Sequence, residues 1–432
     1  MGELVSGTGE YASKIIIIGA GAAGLMAARE LAGHYDVTVL EAEDQVGGRV
    51  RTMTSGASTH IMESGAEFIH GQLPITMSLL NEAAIPYAQV TGKMYRVIDG
   101  KWEEEDEMLE GWDLLLPLMR SADEDMTMKA LLDKYFSADK FRRFRLQVEG
   151  FVQGFDVADP RIASVKELYQ EWAHDDLQNY RVNGGYGRLI SYLENDAKKK
   201  GVEIHTKCRV DRISWSADQA TVHARDNRSF HASKVIITVS VGVLRDTSGN
   251  AIVFTPTIPE HIKAATDIGF GNVIKVILRF KEPFWESQHP EAGFILTEES
   301  VPTWWTQYPG DDPSLTGWLG GPPSDAFINH SDDDLLQAAL GSLSKITGFP
   351  VDTLSSLLAD SYICNWAKQS GFLGAYSFST TRSAKAKELL NTPIHETLYF
   401  AGEALYDGPK GGTVEAAFHS GLVLAEKVKA SR

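Results

Sequence analysis

The run Lys14–Val50, "KIIIIGAGAAGLMAARELAGHYDVTVLEAEDQVGGRV", decides the fold. "KIIII" at 14 to 18 is a short unbroken apolar run, as expected of a parallel strand covered on both faces. A glycine turn follows, then a helix over roughly Ala22 to Ala32 and a second strand, "DVTVLE". This is the start of a βαβ unit. "GAGAAG" places Gly19, Gly21 and Gly24 between strand and helix. There, glycines permit a tight turn and let backbone N–H groups approach a pyrophosphate, whose charge the helix N-terminus favours. Glu41 ends the second strand at the spacing of a carboxylate that binds a ribose hydroxyl. A glycine triplet alone also serves packing; strand, helix and acid together point to a dinucleotide, without separating NAD from FAD.

Outward from this unit the pattern changes. Residues 73–183 read as mainly helical and acidic, with "MKALLDKYFSADKFRRFRLQVEGF" the clearest amphipathic part. "GGYGRLISYLENDAKKKGVEIHT" gives a helix and a strand, and the segment from Val210 to Ser240 a small meander and another buried strand. Residues 259–371 mix β-rich runs with a helix near 332–346, and the chain closes on a strand, a glycine-rich loop and a helix. Two domains are expected: one from 1–72, 184–258 and 372–432, the other from 73–183 and 259–371.

With 432 residues and 43% hydrophobic content, the chain can bury a sizeable core. A formal charge of -17 disfavours nucleic acid and anionic membrane as partners and favours a cationic ligand. The acidic run Glu103 to Glu107 is expected on a solvated loop or helix face. Cys208 and Cys364 are the only cysteines and lie far apart, which indicates neither a disulfide framework nor a thiolate metal site. The N-terminus "MGELVSGTGEYAS" lacks signal-peptide regions, so a reducing, cytoplasmic location is expected. The longest apolar stretch is glycine-broken and too short to span a bilayer. No histidines pair at i,i+3 or i,i+4, so no metal site is expected.

"GFGNVIKVILRFKEPFW", residues 269–285, sets Lys275 within a strand-like run. Alternation puts Val273, Lys275, Ile277 and Arg279 on one side, which reads most simply as a solvated face.

"EAEDQVGGRVRT", with Gly47, Gly48 and Arg49, resembles the FAD-binding opening of the flavin amine oxidase superfamily, Arg49 offering a positive fork to a diphosphate. "LYFAGEALYDGPKGGTVEAAFHSGLVLAEKV" resembles the family's closing motif. There Gly402 and Glu403 meet the cofactor chain, and a helix from about Thr413 and Val414 begins under the flavin. "VIITVSVGVL" is similar to a further family segment, and Val210 falls where a backbone contact to adenine is implied. "TVSVG" is no hydrolase elbow, because Thr238 replaces its first glycine, and Ser240 reads as structural.

"GAEFIHG", residues 65–71, is similar to the "GAxWIHG" run of spermine and polyamine oxidases, placing Ala66, Glu67 and Phe68 by the cofactor. His70 reads either as a substrate-chamber residue or as a hydrogen-bonded structural one. "IKVILRFKEPFW" resembles the segment whose lysine is linked through a water to flavin N5, and Lys275 matches it. "WAKQSGFLGAYS" implies Trp366 packed near the flavin and Tyr376 in front of it. Monoamine oxidases carry a second aromatic wall and a cysteine bonded to FAD where this chain has Thr413 and Ala375. That implies half an aromatic cage and non-covalent FAD. Glu149 in "QVEGF" resembles a family position but receives no role.

The resemblance covers most of the chain, strongest at 14–71, 205–285 and 366–430. It implies an α/β fold: a Rossmann-like FAD-binding domain with an interleaved α+β substrate-binding domain. The implied reaction takes hydride from the carbon beside a neutral amine, polyamine or monoamine, to flavin N5. The imine then hydrolyses, and O2 is reduced to H2O2. Alternatives are an L-amino-acid oxidase, for which Arg96 is a candidate carboxylate-binding cation, a flavin desaturase or porphyrinogen-type oxidase, and an interaction protein carrying structural FAD. The sequence leaves the oligomeric state open.

Overall fold

A computed structural model describes residues 14–54, 60–106, 111–174, 178–249 and 251–431. The opening unit forms as its pattern requires: β1 (Lys14–Ile18), α1 (Ala22–Leu31) and β2 (Asp36–Leu40). They belong to a five-stranded sheet in the order Glu203–His205, β2, β1, Lys234–Ile237, Leu398–Phe400, with every neighbouring pair parallel. Ile16 stands opposite both Thr38 and Val235, and Ile15 to Ile18 are all buried. A continuous apolar run suits this place because both faces of the sheet are covered.

Gly24 explains how α1 seats on the sheet. A Cβ there would lie 2.0 Å from the Gly19 carbonyl oxygen, so only glycine allows the helix this close. Gly19 itself has φ +105°, and its N–H donates to Leu40 O, which folds the turn over the end of β2. The closing helix Val414–Ala430 packs along α1.

A second sheet has seven strands: Leu358–Asn365, Val273–Phe280, Ser314–Gly320, Thr303–Trp305, Ala292–Thr297, Lys93–Ile98 and Lys101–Glu105. Val273–Phe280 is antiparallel to both its neighbours, with Lys275 opposite Trp318 on one side and Cys364 on the other. Its even positions, Ile274, Val276 and Leu278, share a core with Leu335, Leu340 and Leu343 of the helix Asp332–Thr347. On the odd face, Val273 packs with Val157, Trp366 and Phe372. Lys275 is 1% exposed, so the solvated-face expectation fails: alternation marks two faces, and here both are covered.

Residues 73–183 are less uniformly helical than their pattern suggests. Among the described residues five α-helices lie there, but so do the strands Tyr87–Gln89, Lys93–Ile98, Lys101–Glu105 and Asn179–Val182. Lys93–Ile98 runs parallel to Ala292–Thr297, and Lys101–Glu105 is the outermost strand. The acidic run is therefore neither loop nor helix face over its first part. Glu103 and Glu104 are exposed on an edge strand, Trp102 packs inward, and Glu105 pairs with Arg96 at 2.6 Å; Glu107 lies outside the described residues. Edge strands tolerate such charge because one side faces water. Residues 1–13, to which the signal-peptide reading applies, also lie outside the described residues. Among the described residues no helix is long and apolar enough to cross a membrane, and no histidine, cysteine and carboxylate group is placed to hold a metal.

Candidate active site

One cavity of about 1180 Å³ runs from the ends of β1 and β2 to the face of the seven-stranded sheet that carries Lys275. A pocket for a single drug-sized molecule is about 300–1,000 Å³, so a dinucleotide and a small substrate have room together. Its wall takes in Gly19, Gly21, Glu41, Gly48, Arg49, Ala66, Glu67, Phe68, His70, Val210, Lys275, Trp366, Tyr376, Gly402, Glu403, Thr413 and Val414. Gly24 is outside the wall and serves helix packing. Glu149 is outside it too, although its helix, Arg142–Gly154, contributes Gln147, Gly150 and Phe151.

At the first end, a Cβ on Gly48 would lie 3.3 Å from the Gly21 Cα, so bare backbone lines the wall. Glu41 Oε2 accepts from Ala20 N at 2.7 Å and Oε1 from Glu43 N at 2.9 Å. Burial pushes its carboxyl above the usual range against those two bonds. Each oxygen keeps a further acceptor site, which suits a ribose hydroxyl. Cys208 N donates to Glu41 O, which brings Val210 to the same end. Arg49 Nη1 donates to Ala375 O at 2.7 Å and to Glu403 Oε1 at 2.8 Å, and Ser377 Oγ donates to Glu403 Oε2 at 2.5 Å. Arg49 and Glu403, expected as separate cofactor contacts, are thus one ion pair.

Thr413 caps the closing helix: its Oγ accepts from Ala416 N at 3.1 Å and its hydroxyl donates to Lys410 O at 2.7 Å. The positive end of that helix therefore begins at the cavity wall. Trp366 Nε1 donates to Ser64 O at 3.1 Å, which fixes the indole edge-on to Phe372. Ser240 accepts from Val243 N and donates to Phe372 O, a helix cap and loop tie.

At the second end, Lys275 Nζ donates to Glu67 Oε2 at 2.7 Å and to Gly65 O at 3.3 Å. Glu67 Oε1 accepts from Arg181 Nε and Trp305 Nε1, both at 3.0 Å. Burial would raise the Glu67 carboxyl, but the Lys275 and Arg181 charges, with the Lys275 and Trp305 hydrogen bonds, outweigh it and hold it at about 2. Glu67 lines the cavity, and its carboxylate is committed to protein donors.

Aromatic rings encircle this end. Centroids run Tyr376 to Trp318 at 6.4 Å, Trp318 to Trp305 at 5.8 Å, Trp305 to Phe68 at 5.4 Å, Phe68 to His70 at 6.3 Å and His70 to Phe155 at 5.7 Å. The Tyr376 hydroxyl closes the ring by donating to Phe155 O at 2.6 Å. Burial first, and then the charges of Asp156, Glu171 and Glu403, keep that phenol protonated far into the alkaline range. His70 Nδ1 lies 2.7 Å from Asn179 Oδ1. Trp305 and Trp318, which the sequence reading did not name, add aromatic surface to this end beside Tyr376.

Of four carboxylates that line the cavity and that the sequence did not single out, Asp139, Asp156, Glu171 and Glu298, Asp156 and Glu171 act on Tyr376. Trp172 Nε1 donates to Asp156 Oδ1 at 3.3 Å. Glu171 keeps some surface open to the cavity, yet protein encloses it. Desolvation pushes its carboxyl up to about 7, with Lys387 opposing, Glu167 adding and Lys410 opposing. Both acids come from an acidic region where composition gives no way to pick them out. Arg96 reaches the wall as well, but its charge is matched by Glu105.

A backbone-lined dinucleotide cradle at the ends of parallel strands, opening into an aromatic chamber with a buried lysine, is the architecture of a flavoprotein oxidoreductase. The chain belongs to the flavin-containing amine oxidoreductase family, whose model matches residues 22–429; it is an oxidoreductase acting on amines, with FAD as its cofactor. It is 25% identical to polyamine oxidase 5 of Oryza sativa subsp. japonica, over 98% of this chain and 89% of that protein. It is 27% identical to lysine-specific histone demethylase 2 of Homo sapiens, over 98% of this chain but 54% of that protein. Among solved structures, putrescine oxidase in its wild-type form bound to putrescine superposes with a TM-score of 0.80 at 20% identity, covering 97% of this chain and 99% of that one. Cyclohexylamine oxidase from Brevibacterium oxydans IH-35A gives 0.77 at 21% identity, covering 96% and 99%.

Proposed function

We propose that this protein oxidises a small di- or polyamine that binds with its reacting nitrogen neutral and its distal nitrogen cationic. The observation that carries this reading is the unequal charge of the chamber. Lys275, Arg181 and Glu67 together are net positive, whereas Asp156 and Glu171 place two carboxyl groups at the cavity wall by Tyr376, with Lys387 and Lys410 offsetting part of that charge. A cation is disfavoured beside the first group and favoured beside the second. A Glu171 carboxyl raised by desolvation regains its charge most readily when a cation arrives.

The bare backbone at Gly19, Gly21 and Gly48, the Glu41 carboxylate and the start of the closing helix would hold FAD, with Ala375 leaving no thiol for a covalent link. FAD supplies the two-electron acceptor for hydride from the carbon next to the amine. Around it, the protein positions and desolvates. Tyr376 and Trp318 offer aromatic faces to the amine, and the Phe155 carbonyl fixes the Tyr376 ring. The ring of aromatic residues excludes water, and a neutral amine requires no strong base. Dioxygen as acceptor, giving H2O2, completes the reading. Two buried free thiols, Cys208 and Cys364, support a reducing, cytoplasmic setting.

Oxygen uptake with spermidine, putrescine, phenethylamine and several L-amino acids at matched concentrations tests the reading. Fastest turnover is expected with a di- or polyamine. Faster turnover of an amino acid than of every amine overturns it.

A further inference from the structure

Four separate segments meet at one buried carboxylate. Lys275 comes from Val273–Phe280, Arg181 from Asn179–Val182, Trp305 from Thr303–Trp305, and Glu67 directly precedes Phe68–His70. The pairing of Phe68 with Arg181 across adjacent strands brings the guanidinium to Glu67. We propose that Glu67 is a positioning residue that holds Lys275 as a fixed ammonium in the cavity wall, so that the lysine acts by its charge and not as a proton acceptor. This rests on the flavoprotein reading of the cavity but not on which amine is oxidised.

An ammonium this deeply buried is costly without a counter-charge. Glu67 supplies one at 2.7 Å, with the two side chains only 1% and 6% exposed. The carboxylate cannot turn away, because its other oxygen accepts from both Arg181 and Trp305. Arg181 is anchored in turn by the Thr306 and Tyr308 carbonyls, at 2.9 and 3.3 Å. Lys275 Nζ also stands 5.3 Å from the centre of the Trp305 ring, a contact that favours the cation.

Glu63 and Cys364 also face Lys275, but its ammonium donates to Glu67 and to Gly65 O. Glu63, from the strand Ile61–Glu63, is pushed up to about 7 by burial, against hydrogen bonds from Tyr186 N and Thr52. Cys364, opposite Lys275 on the neighbouring strand, is pushed up to about 11 by burial and stays a thiol. Glu67 is the carboxylate in direct contact with the Lys275 ammonium.

The test compares wild type, Glu67→Gln, Lys275→Met and the double variant. In the holoenzymes, the visible absorption and midpoint potential of bound FAD are followed from about pH 6 to 10, around the lysine range. A buried lysine without its carboxylate loses its proton more readily. Glu67→Gln should therefore gain a titration step that wild type lacks and that vanishes in the double variant. In the apo-proteins, the urea midpoint should fall on Glu67→Gln in the wild-type background and by less than half as much in the Lys275→Met background. A Glu67→Gln enzyme with no new step, a step that survives in the double variant, or equal urea shifts in both backgrounds overturns the proposal. Should Glu67→Gln fail to fold, recovery of folded protein in the double variant supports the pairing and continued failure overturns it.

Discussion

Arg49 Nη1 lies 2.8 Å from Glu403 Oε1, joining residues 354 positions apart in one ion pair. Arg49 follows the opening βαβ unit and Glu403 precedes the closing helix, so the pair fastens the two halves of the cofactor cradle to each other. Glu403 is 6% exposed and Arg49 24%. Removing one partner from so enclosed a pair leaves an uncompensated charge, at a cost of about 3–5 kcal/mol when burial is complete and less here.

Glu403→Gln should accordingly lower the melting temperature of the apo-protein and weaken FAD binding at least tenfold, about 1.4 kcal/mol. Fluorescence titration of apo-protein with FAD measures the second effect. Unchanged affinity and melting would show that the pair contributes to neither.

FAD should be released on acid precipitation, because Ala375 stands where a thioether would otherwise form. Yellow colour is expected in the supernatant. Colour retained in the pellet would refute non-covalent binding and point to another attachment residue.

Lys275→Met should retain FAD, since the lysine lies on the chamber wall away from Glu41 and the glycine turn. Flavin reduction or reoxidation should slow more than tenfold, a barrier increase of at least about 1.4 kcal/mol. Stopped-flow traces matching wild type in both half-reactions would leave Lys275 a structural cation.

The raised Glu171 carboxyl makes stability and diamine affinity depend on pH in opposite directions. Its folded value of about 7 exceeds the ordinary 4.5, so the folded protein binds the extra proton between these limits. Stability from this group is therefore lost as pH rises across that window, and Glu171→Gln should flatten the loss. Diamine affinity should move the opposite way, improving as pH climbs through about 7. Calorimetric titration with putrescine at pH 6 and 8 checks this. A Glu171→Gln variant with the wild-type pH dependence would remove Glu171 from the binding site.

Legibility in the sequence followed the range of the interactions. The opening unit was readable because an apolar run, a glycine spacing and an acid are local signals, and β1, α1 and β2 fall where they were expected. Lys275 was legible as a special residue only through resemblance. Alternation alone assigned it to water, because the helix that covers one side of its strand begins at Asp332 and the wall that covers the other includes Val157 and Trp366. Trp318 completes the chamber by standing opposite Lys275, a matter of strand register that single-strand patterning does not contain. Asp156 and Glu171 were hidden among many acids until the fold enclosed them.

The parallel sheet also bears on how the chain is made. Lys14–Ile18 pairs with Lys234–Ile237, which in turn pairs with Leu398–Phe400. At ribosomal rates of about 5–20 residues per second, the first strand is synthesised roughly 20 to 80 s before the last. Ile15 to Ile18 gain β2 on one side almost at once, but their other side waits for Lys234–Ile237, and the sheet beyond it for Leu398–Phe400. Acquisition of FAD therefore belongs to the end of synthesis, and demand for a chaperone that shields apolar segments should be greatest while the middle of the chain is emerging.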